Sequence, residues 1–195
     1  MTRVLRSIAL ASLSIAALTA HASVANVIDQ STPDGGTVLA FFSQSDLAQS
    51  FRQLADNITG AGIQLNGTAA SSPASITIEL WSQLPNRGGQ RLAGGETLAN
   101  SGDWADVFWP ALTVTPDTTY FLVFKSSNSA LGVSGHLNNP YPDGNTFATS
   151  GYGSFPNFDY AFRTYALAPA VPEPASWASL LGGLALIGGA LARRR

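Results

Sequence analysis

The 195-residue chain is 45% hydrophobic and 11% charged, with 19 Gly, 11 Pro and no Cys, which suits one domain plus targeting segments and excludes a disulfide framework. Its formal charge of -2 hides an asymmetry: between Ser23 and Ala170 five basic residues (Arg52, Arg87, Arg91, Lys125 and Arg163) face eleven acids, a balance of -6. A surface of that sign repels phosphate backbones, so nucleic acid is excluded as a partner.

The amino end reads as a signal peptide over residues 1–22. Arg3 and Arg6 give a positive n-region, Ile8 to Leu18 an apolar h-region, and Ala20-His21-Ala22 the small-x-small pattern that signal peptidase accepts. Cleavage after Ala22 is expected, with Ser23 opening the mature chain. The apolar run is short for an uncleaved membrane helix, which wants about 20 residues.

Residues 23–169 carry short apolar alternations broken by Gly, Pro, Asn and Asp clusters at intervals of roughly ten residues, the pattern of an all-β domain. The expected strands are Thr37 to Phe42, Ala48 to Phe51, Ile58 to Leu65, Ser75 to Trp81, Trp104 to Trp109, Thr119 to Lys125 and Tyr160 to Tyr165. In Ser75 to Trp81, Ile76, Ile78 and Leu80 share one face while Thr77 and Glu79 share the other. Leu84-Pro85-Asn86-Arg87-Gly88-Gly89 then breaks the run. Thr119 to Lys125 is apolar on both faces and belongs in the middle of a sheet. The segment around Gly60 and Gly62 is the weakest strand, where a bulge or a close approach of other backbone is expected. The predicted architecture is an antiparallel β-sandwich of jelly-roll type.

Chemistry has little to build from in this domain. After signal removal His136 is the only histidine, so neither a zinc site nor a Ser-His-Asp triad is expected, and no catalytic residue, metal or cofactor is assigned. Asn138, Asn139, Asp143 and Asn145 crowd one loop with oxygen ligands that could hold calcium, yet the same residues are ordinary turn formers beside Pro140, Pro142 and Gly144. Asp103 and Asp106 flank Trp104, and Glu79 sits near Trp81, but a turn and the polar face of a strand explain these acids as solvated surface. Aromatics are more suggestive, because the apolar faces of sugar rings pack on flat side chains while Asn and Asp bind hydroxyls. Tyr141, Asp143, Asn145 and Tyr152 are the candidate ligand-binding residues, with polysaccharide as the partner; Trp81 and Trp109 are expected in the core. A structural or binding module is the leading reading, with a carbohydrate-binding module proper and a secreted polysaccharide hydrolase as rivals.

The carboxyl end, residues 170–195, has three unlike parts in order. Val171-Pro172-Glu173-Pro174 is a stiff spacer, Trp177 to Ala192 is apolar and rich in Leu, Gly and Ala, and Arg193-Arg194-Arg195 closes the chain. A helix there would reach roughly 25 Å, marginal for a hydrocarbon core of about 30 Å, with the arginines held in the cytoplasm. The expected topology is a transmembrane helix anchoring an exported domain on the far side of the membrane.

These residues together resemble the PEP-CTERM sorting signal of Gram-negative bacteria. That resemblance implies processing near Pro172-Glu173-Pro174 by an exosortase-type enzyme, in organisms that make exopolysaccharide, and hence a protein anchored first and then placed at the cell surface or outside. Similar tails occur on proteins labelled ice-binding, but the regular Thr ladder that activity wants is missing beyond Thr113-Val114-Thr115 and Thr77. Through Gln49-Ser50-Phe51, Ile76 to Trp81, Trp104 to Trp109 and Phe158 to Arg163, the middle region resembles an uncharacterised β-sandwich domain found ahead of such tails, which implies no activity.

Overall fold

Alternation becomes strand throughout the computed structural model, which describes residues 25–67, 73–168 and 183. The strands are β1 (Asn26–Ser31), β2 (Thr37–Phe41), β3 (Leu47–Gln53), β4 (Asn57–Gly67), β5 (Ala74–Trp81), β6 (Arg91–Ala99), β7 (Trp104–Thr113), β8 (Thr118–Ser126), β9 (Leu131–His136), β10 (Thr146–Ala148), β11 (Gly153–Phe155), β12 (Asp159–Tyr160) and β13 (Phe162–Leu167). In β5 the period of two is plain: Ala74, Ile76, Ile78 and Leu80 are buried and the residues between them are half-buried. The turn at Leu84 to Gly89 follows as expected, a 3₁₀ turn at Pro85–Arg87 closed by Gly88 at φ +77°.

The strands form two antiparallel sheets within the unit Val24–Pro169. One runs β11-β10-β3-β8-β5-β6. The other runs β1-β13-β4-β9-β12, with β2 added to β9 and β7 added to β4. Phe51, Ile76, Ile78, Leu80 and Leu122 of the first sheet meet Ile58, Ile63, Leu65, Val133 and Phe162 of the second in one core, each no more than 1% exposed. Burying each of these side chains is worth about 1.5–3 kcal/mol, which makes this seam the main source of stability. Strand β8 lies between β3 and β5, the central place its two-sided apolar character requires. Its Tyr120, Leu122 and Phe124 join the main core, while Val123 on the opposite face joins a smaller cluster with Ala48, Leu84, Phe147 and Tyr152.

Strand β4 is stronger than its glycines suggested. It is the longest strand, 11 residues, and pairs with β7, β13 and β9 in turn. The expected irregularity is present, as a register shift against β7 between Ile58 and Gly60. The Tyr160 to Tyr165 segment is not one strand. Ala161 divides it, its N–H donating to Ser134 of β9 (2.8 Å) and its carbonyl accepting from Gln64 of β4 (3.0 Å), so β12 pairs with β9 and β13 with β4.

Strands β1, β6, β9, β10 and β11 have no counterpart among the expected ones, and β6 and β9 each contain two glycines. In β9 a methyl on Gly135 would lie 2.3 Å from the Asp159 carbonyl oxygen, so its bareness admits β12 rather than weakening the strand. Among the described residues no helix is long and apolar enough to cross a membrane, and the expected carboxyl-terminal helix lies outside those residues except at Gly183.

Candidate functional site

The outward face of the six-stranded sheet is where pairing gathers aromatic residues. Register sets Trp81 beside Phe121 and Phe121 beside Ser50; one row over, Glu79, Val123, Ala48 and Phe147 follow one another across four strands. Two turns fold over this second row and bury it. Leu84, 1% exposed, comes from the 3₁₀ turn, whose Asn86 Nδ2 donates to the Gly151 carbonyl at 2.8 Å. Tyr152 comes from the β10–β11 hairpin, where Gly151 N–H donates to Asp46 Oδ2 at 2.7 Å and Tyr152 N–H to the Thr149 carbonyl at 3.1 Å. Thr149 and Tyr152 hold φ of +69° and +55°, a region that residues other than glycine seldom adopt and that β-branched Thr149 in particular avoids, so the hairpin is fixed by its surroundings and not by local preference.

Beside this clasp the face stays open as a groove of about 480 Å³. The sheet contributes Phe121, Thr119 and Thr118, β10 adds Phe147, and the turn supplies Ser82, Gln83, Leu84 and Arg87. The Phe121 and Phe147 rings lie 5.9 Å apart at 55°. The Gln83, Thr119 and Arg87 side chains that line it are exposed.

Charges on the same sheet are largely neutralised. Glu79 accepts from Arg91 (2.9 Å), Lys125 (3.4 Å) and the Trp81 indole (3.3 Å), and its side chain is only 13% exposed. It is therefore not the solvated surface acid expected from its place on a polar face. The neighbouring cations shield it from water as well as from like charge.

Three of the four predicted ligand residues come together and the fourth stands apart. The Tyr141 hydroxyl donates to Gln30 Oε1 (2.8 Å) and accepts from Arg52 N–H (3.1 Å), while its ring meets Phe162 edge-on at 5.1 Å. Burial, with Asp143 and Asp29 adding to it, pushes its pKa above the ordinary tyrosine value despite the opposing Arg52 hydrogen bond. Asp143 sits 3.7 Å from Arg52, and Asn145 exchanges hydrogen bonds with Ser50. These three residues are thus held together over β3. Tyr152 is separate, 8% exposed in the outer cluster, its pKa raised by burial and then by Asp46 and Glu79.

Two further clusters are structural. On the outward face of the other sheet, Arg163 pairs with Asp106, its guanidinium 4.1 Å from the Trp104 ring centre, and Tyr165 donates to Asp106 at 2.9 Å. Asp103 accepts from Asn100 N–H at 3.0 Å, so each of the two acids flanking Trp104 is engaged locally. Trp109 packs on the core and donates to the Ile58 carbonyl at 3.2 Å; Trp81 packs on the outer cluster. His136 Nε2 lies 2.9 Å from the Pro33 carbonyl oxygen. Among the described residues no three His, Cys, Asp or Glu side chains converge to hold a metal ion.

The sorting residues Val171, Pro172, Glu173, Pro174, Arg193, Arg194 and Arg195, like Ala20 and Ala22, lie outside the described residues. Residues 170–195 match the model of the PEP-CTERM protein-sorting motif. Neither the curated proteins nor the solved structures contain a match to the chain. The motif marks a protein sorted through a carboxyl-terminal signal and implies an exosortase-type processing enzyme.

Proposed function

We propose that this chain is a surface or matrix protein that is exported, held briefly by its tail and then processed, and that its β domain binds a partner without catalysing a reaction. The observation that carries the reading is the sorting motif at residues 170–195. A domain delivered this way works outside the cytoplasm, where exopolysaccharide is an available partner. The non-enzymatic part is supported by the acids near Trp104 and Trp81, each already bound to a backbone donor or to cations. We read the winding as jelly-roll in type, supported by the repeated passage of the chain between sheets at β2–β3, β3–β4, β7–β8 and β8–β9.

Fractionation of cells making the tagged full chain, with and without residues Val171 to Pro174, tests the sorting step. The unaltered chain is expected outside the inner membrane with Arg193, Arg194 and Arg195 removed, and the deleted form is expected to stay in the membrane uncut. Mass spectrometry finding Arg195 intact on the exported protein would overturn the reading.

A further inference from the structure

Four of the domain's five cations are committed. Arg52, Arg91, Lys125 and Arg163 each lie within 4 Å of a carboxylate. Among the described residues Arg87 is the cation with no such partner, although the domain carries more than twice as many acids as bases. It is also the cation that lines the groove. Its backbone is not loose: Leu84 beneath the same turn is buried, Asn86 is tied to Gly151, and Arg87 N–H itself donates to the Leu84 carbonyl at 2.8 Å. The guanidinium therefore starts from a fixed base and finds no acid among the described residues.

The rest of the groove narrows the ligand. Phe121, half-buried, offers apolar ring surface with the edge of the buried Phe147 beneath it, while the exposed Thr119 and Gln83 offer a hydroxyl and an amide. A purely apolar ligand would leave those polar groups unused; a small inorganic anion would leave the rings unused. A pyranose ring satisfies both, with one C–H face for the aromatic side chains and hydroxyls for the rim. A carboxylate on that ring would supply what Arg87 lacks, since a guanidinium and a carboxylate match as a two-bond pair. The volume, about 480 Å³, falls in the range of small-ligand sites, roughly 300–1,000 Å³.

We propose that the groove between the Pro85–Arg87 turn and the start of β8 binds uronic acid residues of an acidic glycan, with Arg87 taking the carboxylate and Phe121 the sugar face. This rests on the reading of the domain as a binding body and names its ligand; it is independent of how the tail is sorted. The acidic surroundings make the contact local, because the remaining surface repels a polyanion and only the segment seated at Arg87 is attracted.

Calorimetric titration of the purified full chain in detergent, with tetramers of galacturonate, of mannuronate and of uncharged galactose, tests this directly. At least one uronate tetramer is expected to bind saturably, at least tenfold more tightly than the galactose tetramer. Arg87→Gln, an exposed change expected to leave the melting curve unaltered, should weaken that binding at least tenfold. Arg91→Gln, on the same sheet but outside the groove, should not. Absence of saturable uronate binding, equal affinity for the neutral tetramer, undiminished binding by Arg87→Gln or an equal loss with Arg91→Gln would each overturn the assignment. None of these outcomes depends on processing of the tail, so they are distinct from a failure of the sorting reading.

Discussion

Replacing Asp159 by Asn changes one oxygen to one amide group at a place with no room for the exchange. Asp159 is fully buried; Oδ1 accepts from Gln49 Nε2 at 3.1 Å and Oδ2 from Tyr141 N–H at 2.8 Å. Gln49 cannot turn its amide over to help, because its Oε1 already accepts from Thr146 Oγ1 (2.9 Å) and Tyr160 N–H (3.1 Å). In Asp159→Asn, an amide NH₂ must therefore face a second donor, leaving buried groups unpaired at a cost of about 1–3 kcal/mol. Relief of the carboxylate's desolvation offsets part of this, so a net loss of about 1–2 kcal/mol at neutral pH is expected, or roughly 2–8 °C in melting temperature for a domain of this size. Burial raises the Asp159 pKa, against the lowering effect of the Tyr141 and Gln49 hydrogen bonds and of His136. The folded state thus holds this proton more tightly than the unfolded chain. Its contribution is fully present below about pH 3.9 and is lost as pH rises to the raised folded-state value. Asp159→Asn lacks that slope, so the stability gap between the two proteins should narrow with rising pH across this window. Urea unfolding of both proteins from acid to neutral pH reads the gap; a variant as stable as the parent at neutral pH, or a gap widening as pH rises, would refute the reasoning.

Two further changes probe packing and hydroxyl satisfaction. A methyl at Gly62 would lie 2.0 Å from Asp106 Oδ1, so Gly62→Ala should open the Asp106–Arg163–Tyr165 cluster and lower stability by about 1–3 kcal/mol; an unchanged urea midpoint would contradict this. Tyr141→Phe removes a hydroxyl that both donates to Gln30 and accepts from Arg52, and should cost about 1 kcal/mol, whereas Tyr152→Phe should stay within about 0.5 kcal/mol, because among the described residues its hydroxyl has no hydrogen-bond partner. Thermal melts of the pair distinguish the two cases.

The sequence made the strands legible where side chains carry the alternation. β5 and β8 are recognisable from Ile76, Ile78 and Leu80 and from the Tyr120 to Phe124 run, because burial on one or both faces leaves a local pattern. β6 and β9 escape it, since a strand admitted by bare glycines has fewer side chains with which to show a period. The groove escapes for a different reason: it depends on the sheet register that sets Phe121 beside Trp81 and on a contact between turns 65 residues apart, Asn86 to Gly151. Tyr141 and Tyr152 look alike as loop aromatics, yet long-range partners send one toward the main core and the other beneath a neighbouring turn. The sorting segment is legible because spacer, apolar run and arginines are contiguous and need no tertiary structure to be read.

Strand β13 lies between β1 and β4, so the first and last strands of the domain are laced to each other. A polypeptide threaded through a membrane from its amino end would then carry an unclosed sheet until Leu167 emerged, and β1 would lack its ladder partner for most of that passage. Such late closure favours transport in an unfolded state and makes maturation slow, as is usual when the ends of a chain must find one another.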